Sequence, residues 1–278
     1  VADILKYRIP GQTPVNKKGR FKQVHDWSNF HGFIVSDFTL QNRYVFEEST
    51  EQGMLHFKEH DLYVIEKDEY LETAKSFIDE MREKAVKKAI LSRISRASFD
   101  EEKSIQLYDC LIETYPTAFI YLISSELFGT WIGASPELLL KTTGEDAYTI
   151  SLAGTKSNHE NSPWGQKEID EQRYVTEFIE QKLRNLVVGN LRVSKRSEHR
   201  AGPVKHLMTK LEFSMNNLLP TTIIQTLHPT PALSGFPQQE ALQLIGKFEK
   251  HTRELYSGII GVLSDTSSSV YVNLRCCQ

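Results

Sequence analysis

The sequence predicts an α+β fold, with helices packed outside antiparallel sheets, on three observations. Apolar residues repeat at helical spacing in four segments, centred on 70–88, 104–114, 166–188 and 241–248. Short apolar runs bounded by turn residues lie between them, several close enough to form hairpins. No repeated β-α-β unit of the doubly wound kind is present, so the strands are not expected to run parallel.

Taken in order, residues 1–66 read as loops and short strands, clearest at 32–38 and 62–65, with a polar break at 47–53. Leu71, Ala74, Phe77, Ile78, Met81 and Ala85 then mark a helix, which passes at Lys88 into the strand-like run 89–93. Ile105, Tyr108, Leu111 and Ile112 mark a second helix, and strands are expected at 118–124, 130–134, 137–141 and 147–153. A long helix over 166–188 presents Ile169, Val175, Phe178, Ile179, Leu183, Leu186 and Val187, with Gly189 placed to end it. Strands at 190–194 and 205–213 follow. Ala241, Leu242, Ile245 and Phe248 then share one helix face, and 259–263 and 270–276 close the pattern as strands.

With 278 residues, the chain is near the limit for one hydrophobic core, and a single domain over 1–278 is expected. Thirty-three basic against 36 acidic residues give a net charge of −3, which supplies no field for nucleic acid or an anionic membrane. No apolar run approaches the roughly 20 residues of a spanning helix, and no secretory pattern opens the sequence. Cys110, Cys276 and Cys277 form neither a disulfide framework nor a metal-ligand spacing. A cytoplasmic monomer acting on a small molecule is the expectation.

Chemistry-bearing residues concentrate in a few short motifs. His228-Pro229-Thr230-Pro231 and Ser234-Gly235-Phe236-Pro237 hold a rigid, non-helical backbone ahead of a helix. Lys88, in KAILSR, reads either as a solvated lysine at a helix end or as a desolvated base. Glu137, in WIGASPELLL, is either exposed on a hairpin or held among leucines with a raised pKa, as a general acid requires. Gly154, before Thr155, allows a ligand close to the backbone, although no phosphate-loop pattern surrounds it. Glu168 and Glu171 share one face of the long helix. They form either a solvated acidic face or a pair of oxygen ligands for Mg²⁺. His206 on its strand, and His228, read as structural or ligand-contacting histidines. Arg275, with its planar fork, and Tyr256, with its hydroxyl, are of the types that bind carboxylates.

HPTPALSGFP followed by RELYSGIIG resembles the signature of the chorismate-utilising enzymes, and within them the isochorismate synthases. KAILSR, GASPELL, the AGT turn at 153–155, the Glu168/Glu171 helix, VKHLMTKLEF and YVNLRC follow in the family's order. The resemblance runs from about Lys84 to the last residue, roughly two thirds of the chain, and leaves 1–66 poorly matched. It implies two antiparallel sheets packed together with helices outside, and Mg²⁺-dependent conversion of chorismate to isochorismate. Lys88 would activate water and Glu137 would protonate the departing hydroxyl. Glu171 and Glu168 would hold Mg²⁺. Gly154, Thr155, His206, Tyr256 and Arg275 would contact the substrate. Lysine at 88, where ammonia-using members typically carry glutamine, and alanine at 153, where aminodeoxychorismate synthases commonly carry a nucleophilic lysine, both indicate water as nucleophile. Gln172 departs from the histidine usual in the family. Salicylate synthase and a catalytically silent chorismate-binding protein are the alternatives. Family members continue into a glycine-rich turn and a final helix with further magnesium ligands, which this sequence does not contain. An open cleft holding Lys88 and Glu137 is therefore expected beside the last strand.

Overall fold

The computed structural model describes residues 1–58 and 62–278. Four strands come first: β1 (Asp3–Arg8), β2 (Val15–Val24), β3 (Gly32–Ser36) and β4 (Arg43–Glu48). Helix α1 (Lys67–Glu83) leads to the two-residue strand β5 (Lys88–Ala89), and α2 (Ser104–Thr114) to β6 (Phe119–Ser125), β7 (Gly129–Ser135), β8 (Leu138–Thr143) and β9 (Asp146–Ser157). Helix α3 (Gln166–Asn185) is followed by β10 (Gly189–Val193), β11 (Ser197–Ala201) and β12 (Val204–Ser214). Helix α4 (Pro220–Leu227), β13 (Gly235–Phe236), α5 (Gln238–Phe248), β14 (Ile259–Leu263), β15 (Ser269–Val272) and β16 (Cys276–Cys277) complete the described elements.

Fourteen strands join in one antiparallel sheet, ordered β10-β12-β9-β8-β15-β14-β3-β4-β2-β1-β6-β7-β16, with β11 on β12. Period-two alternation shows how it is layered. On β3, Phe33 and Val35 enter one cluster while Ile34 enters another; on β15, Tyr271 takes the first and Val270 and Val272 the second. The first cluster also holds Leu5 of β1 and Phe119, Tyr121 and Ile123 of β6, so the two ends of the sheet face each other across it. Phe119 stacks on Tyr271 with centroids 4.7 Å apart, a contact contributing roughly 1 kcal/mol beyond its buried area. The second cluster lies under α3 and α4, through Val175, Phe178, Ile179, Leu183, Ile223, Ile224 and Leu227. On the opposite outer face, Ile120, Leu122 and Ile132 pack against Tyr108 of α2. The two layers with helices outside are therefore present, as halves of one continuous, folded-over sheet.

Several local expectations differ from what forms. Residues 62–65 pair with no strand among the described residues, and the extended run after Lys88 is a strand only at Lys88–Ala89. Helix α3 is ended not by Gly189 but by Val187, which takes the left-handed conformation (φ 56°) after the C-cap Leu186; Gly189 opens β10. Residues 1–48 supply four strands to the middle of the sheet. No described helix is long and apolar enough to cross a membrane.

Candidate active site

The Pro-rich segment positions Lys88. Gly235 and Phe236 pair antiparallel with Ala89 and Lys88, and the ladder extends through Lys87 N–H to Phe236 O (2.8 Å) and Ile90 N–H to Ser234 O (3.0 Å). Glycine is required at 235: its φ is +146°, and a Cβ there would lie 2.1 Å from Lys88 O. Arg253 fastens the same segment. Its guanidinium donates to Leu233 O (2.9 Å), Ile90 O (2.8 Å) and both carboxylate oxygens of Glu249. His228 is buried and donates from Nε2 to Phe38 O (2.8 Å); burial takes its pKa down to about 4. It is a structural histidine.

Helix α3 meets this segment through Tyr174, whose ring stacks on Phe236 at 5.3 Å and 10°. One turn earlier on the helix, Glu171 Oε1 accepts from Lys88 Nζ at 2.9 Å. The helix is held against the sheet by Gln172, the departure from the family pattern. Its buried amide donates to Ser151 Oγ (3.2 Å) on β9, Thr209 Oγ1 (3.0 Å) on β12 and Thr176 Oγ1 (2.9 Å) on its own helix. Glu168 sits in the first turn, where a carboxylate is favoured by the helix dipole. Its Oε2 would lie 2.6 Å from a Cβ on Gly165, so it folds back over the helix start.

Glu137 is buried just before β8, not within it, and its carbonyl accepts from Val272 N–H (2.9 Å). Burial pushes its carboxyl up to about 7, against the opposing pull of Lys88 and then Arg275. Arg275 lies at an exposed bend between β15 and β16, not on a strand. Its Nη2 is 3.0 Å from His206 Nε2, and His206 Nδ1 is 2.9 Å from Gly154 O and 3.1 Å from Thr155 Oγ1. Gly154 is the extra residue of a bulge between β9 and β12, at φ +70°. A Cβ there would lie 3.1 Å from Glu168 Cβ. Tyr256, in the turn before β14, packs partly buried against the cluster between the sheet layers, and burial raises its hydroxyl's pKa. No hydrogen bond ties it to Arg275 among the described residues.

The structure thus brings Lys88, Glu137, Glu171 and Arg275 together, with Gly154, Thr155, His206 and Glu168 beside them; Tyr256 lies against Arg253, whose guanidinium is 5.9 Å from its ring. Gln172, Arg253 and Glu249 hold the arrangement without having been singled out as site residues. The one available signal was Gln172 in place of histidine. Glu168 and Glu171 fit an oxygen-binding cation in part: Glu171 already holds a cation, Lys88, and is one-third exposed. Two carboxylates supply only part of the six oxygens Mg²⁺ prefers, and no third His, Cys, Asp or Glu joins them among the described residues. A cavity of about 720 Å³, of ligand size, lies beside Phe38, Tyr44, Phe128, Arg253 and Glu254. Gln278 reaches Phe128 O and Glu254 at its rim. This cavity holds neither Lys88 nor Glu137; Glu137 is buried and the Lys88 side chain is 9% exposed.

Comparison with known proteins gives a consistent result. A family model described as chorismate binding enzyme matches residues 34–278. The isochorismate synthase EntC of Escherichia coli (strain K12) is 33% identical over 209 residues, covering 69% of this chain and 53% of that protein. The isochorismate synthase MenF of Bacillus subtilis (strain 168) is 29% identical over 247 residues, covering 82% and 48%. The solved structure of MenF, the menaquinone-specific isochorismate synthase from Escherichia coli, superposes with a TM-score of 0.78 at 18% identity, over 99% of this chain and 79% of that one. The chain spans about half the length of the curated relatives it matches.

Proposed function

Because the chain belongs to the chorismate-binding enzyme family, we propose that it is an isochorismate synthase, adding water at C2 of chorismate with loss of the C4 hydroxyl. The observation that carries this is Glu137: a buried carboxyl, protonated up to about pH 7, that feels both Lys88 and Arg275. An acid, an amine and a carboxylate-binding guanidinium around one point suit proton-coupled addition and elimination on an anionic ring. Glu137 gives its proton to the leaving hydroxyl. Lys88 takes a proton from the attacking water, but as it stands its ammonium donates to Glu171 at 2.9 Å. To act as a base it must first lose a proton, and the Glu171 carboxylate in contact with it is the adjacent acceptor. Arg275 orients a substrate carboxylate through its planar fork, and the Gly154–Thr155 bulge lines the ring. Glu171 and Glu168 are the residues that would hold Mg²⁺. The chemistry supplied there would be neutralisation of carboxylate charge on the substrate.

Incubating the protein with chorismate and Mg²⁺ and identifying products by chromatography and mass spectrometry tests the proposal. Isochorismate is the expected product. Salicylate with pyruvate would reassign it to the salicylate synthases, and tight chorismate binding without turnover would make it a silent binder.

A further inference from the structure

The contacts of His206 give it a different task from touching the substrate. The residue is buried on β12 with both ring nitrogens engaged. Gly154 O can only accept, so Nδ1 carries the hydrogen and donates at 2.9 Å; Thr155 Oγ1, at 3.1 Å, shares the same side of the ring. The proton on Nδ1 leaves a lone pair on Nε2, and only a donor can face it. Arg275 Nη2, 3.0 Å away, is that donor. His206 is also the one side-chain hydrogen-bond partner of Arg275 among the described residues.

We propose that His206 is a positioning residue that aims the Arg275 guanidinium at the substrate carboxylate, relaying to it the geometry of the Gly154 bulge. The inference rests on the proposed role of Arg275. An exposed arginine at a bend, even with its carbonyl accepting from Ala134 N–H at 2.9 Å, keeps side-chain rotamer freedom that costs affinity when it must be fixed at binding. Anchoring one edge of the fork on a buried, tautomer-locked ring removes part of that cost. The anchor is continuous with the site. Gly154 packs on Glu168, and the β9–β12 pairing that contains the bulge also carries Ser151 and Thr209, which hold Gln172 and thereby the helix of Glu171.

Two substitutions separate the two halves of the ring. His206→Asn keeps an amide donor near Nδ1 for Gly154 O but is too short to reach Arg275. His206→Gln extends an amide oxygen to the place of Nε2 and gives up the bond to Gly154. Chorismate affinity is measured by calorimetry, together with KM and kcat, on the wild type, on both variants, on Arg275→Ala alone, and on both variants in that background. The Asn variant should weaken binding and raise KM about tenfold, equivalent to about 1.4 kcal/mol, with kcat changed less than about twofold. The Gln variant should stay within about threefold of wild type, and the difference between the two should vanish once Arg275 is alanine. The reverse ranking, with Gln the more damaging, would show that His206 matters only as an anchor for Gly154. A difference that persists in the Arg275→Ala background would show that His206 acts on the substrate itself. Either overturns the proposal while leaving the assigned role of Arg275 intact. Unchanged binding by Arg275→Ala alone removes that role and the inference with it.

Discussion

Glu137 links the pH dependence of turnover to that of stability. As a general acid it must be protonated, so turnover should fall as pH rises through about 7. Its folded pKa lies above its ordinary 4.5, so the folded state binds the proton more tightly. The stability this gives is fully present below about pH 4.5, declines between 4.5 and 7, and is gone above 7. The total is on the order of 3 kcal/mol. Glu137→Gln should abolish turnover with chorismate still bound, and its melting temperature should lack this pH slope. A mutant that keeps its rate at saturation but loses binding would make Glu137 a binding group. Lys88→Gln should lower isochorismate formation roughly 10²-fold or more with the fold intact, and near-normal turnover would remove the assigned base. These residues were legible because each sits in a compact motif. The residues that hold them were not: Arg253 bonds Ile90, and Gln172 bonds Ser151 and Thr209. Such partnerships exist only after folding.

At the scale of elements, the two-residue strand β5 depends on β13. Gly235→Ala would drive a methyl group to 2.1 Å from Lys88 O and 2.7 Å from Ala241 Cβ. A cost of about 3 kcal/mol or more is expected, with activity lost more steeply than stability because the displaced strand carries Lys88. Thermal melts compared with single-turnover rates would show this, and equal losses in both would argue for a general defect. Helices α1, α2, α3 and α5 were readable from their period because each has a polar face. Helix α4 was not: its eight residues make only about two turns, too short a run for the helical repeat of Thr221, Ile224 and Leu227 to stand out. Strands β1, β2 and β4 escaped notice for a different reason. In VNKKGRFKQV of β2, charged residues face solvent and few apolar ones mark the inner face. Residues 62–65 are apolar enough for a strand, but no neighbour among the described residues supplies a ladder, and pairing cannot be read from composition.

For the whole molecule, the α+β class and its helix-covered sheet layers follow from patterning, whereas strand order does not. Period two tells which side chains share a face, not which strand lies alongside. The β14–β15 hairpin makes the difference concrete, since β14 pairs with β3 and β15 with β8. Val270→Ala, in the cluster under α3 and α4, should cost about 2 kcal/mol. Its effect should spread sideways: amide exchange ought to quicken in β3 and β8 together, although they are about a hundred residues apart in sequence. Faster exchange confined to β15 would mean the hairpin is not the link between the two sheet regions.

The same hairpin sets an order on how the chain can be made. During synthesis β3 and β8 emerge long before residues 259–272, and until then each presents a bare edge on the side the hairpin will occupy. Bare edges pair with whatever strand is nearest, including those of other nascent chains. A sheet closed by pairings so distant in sequence also forms slowly. Yield on refolding should therefore depend steeply on protein concentration, and a separately supplied peptide spanning the hairpin should protect a chain that lacks it from aggregating.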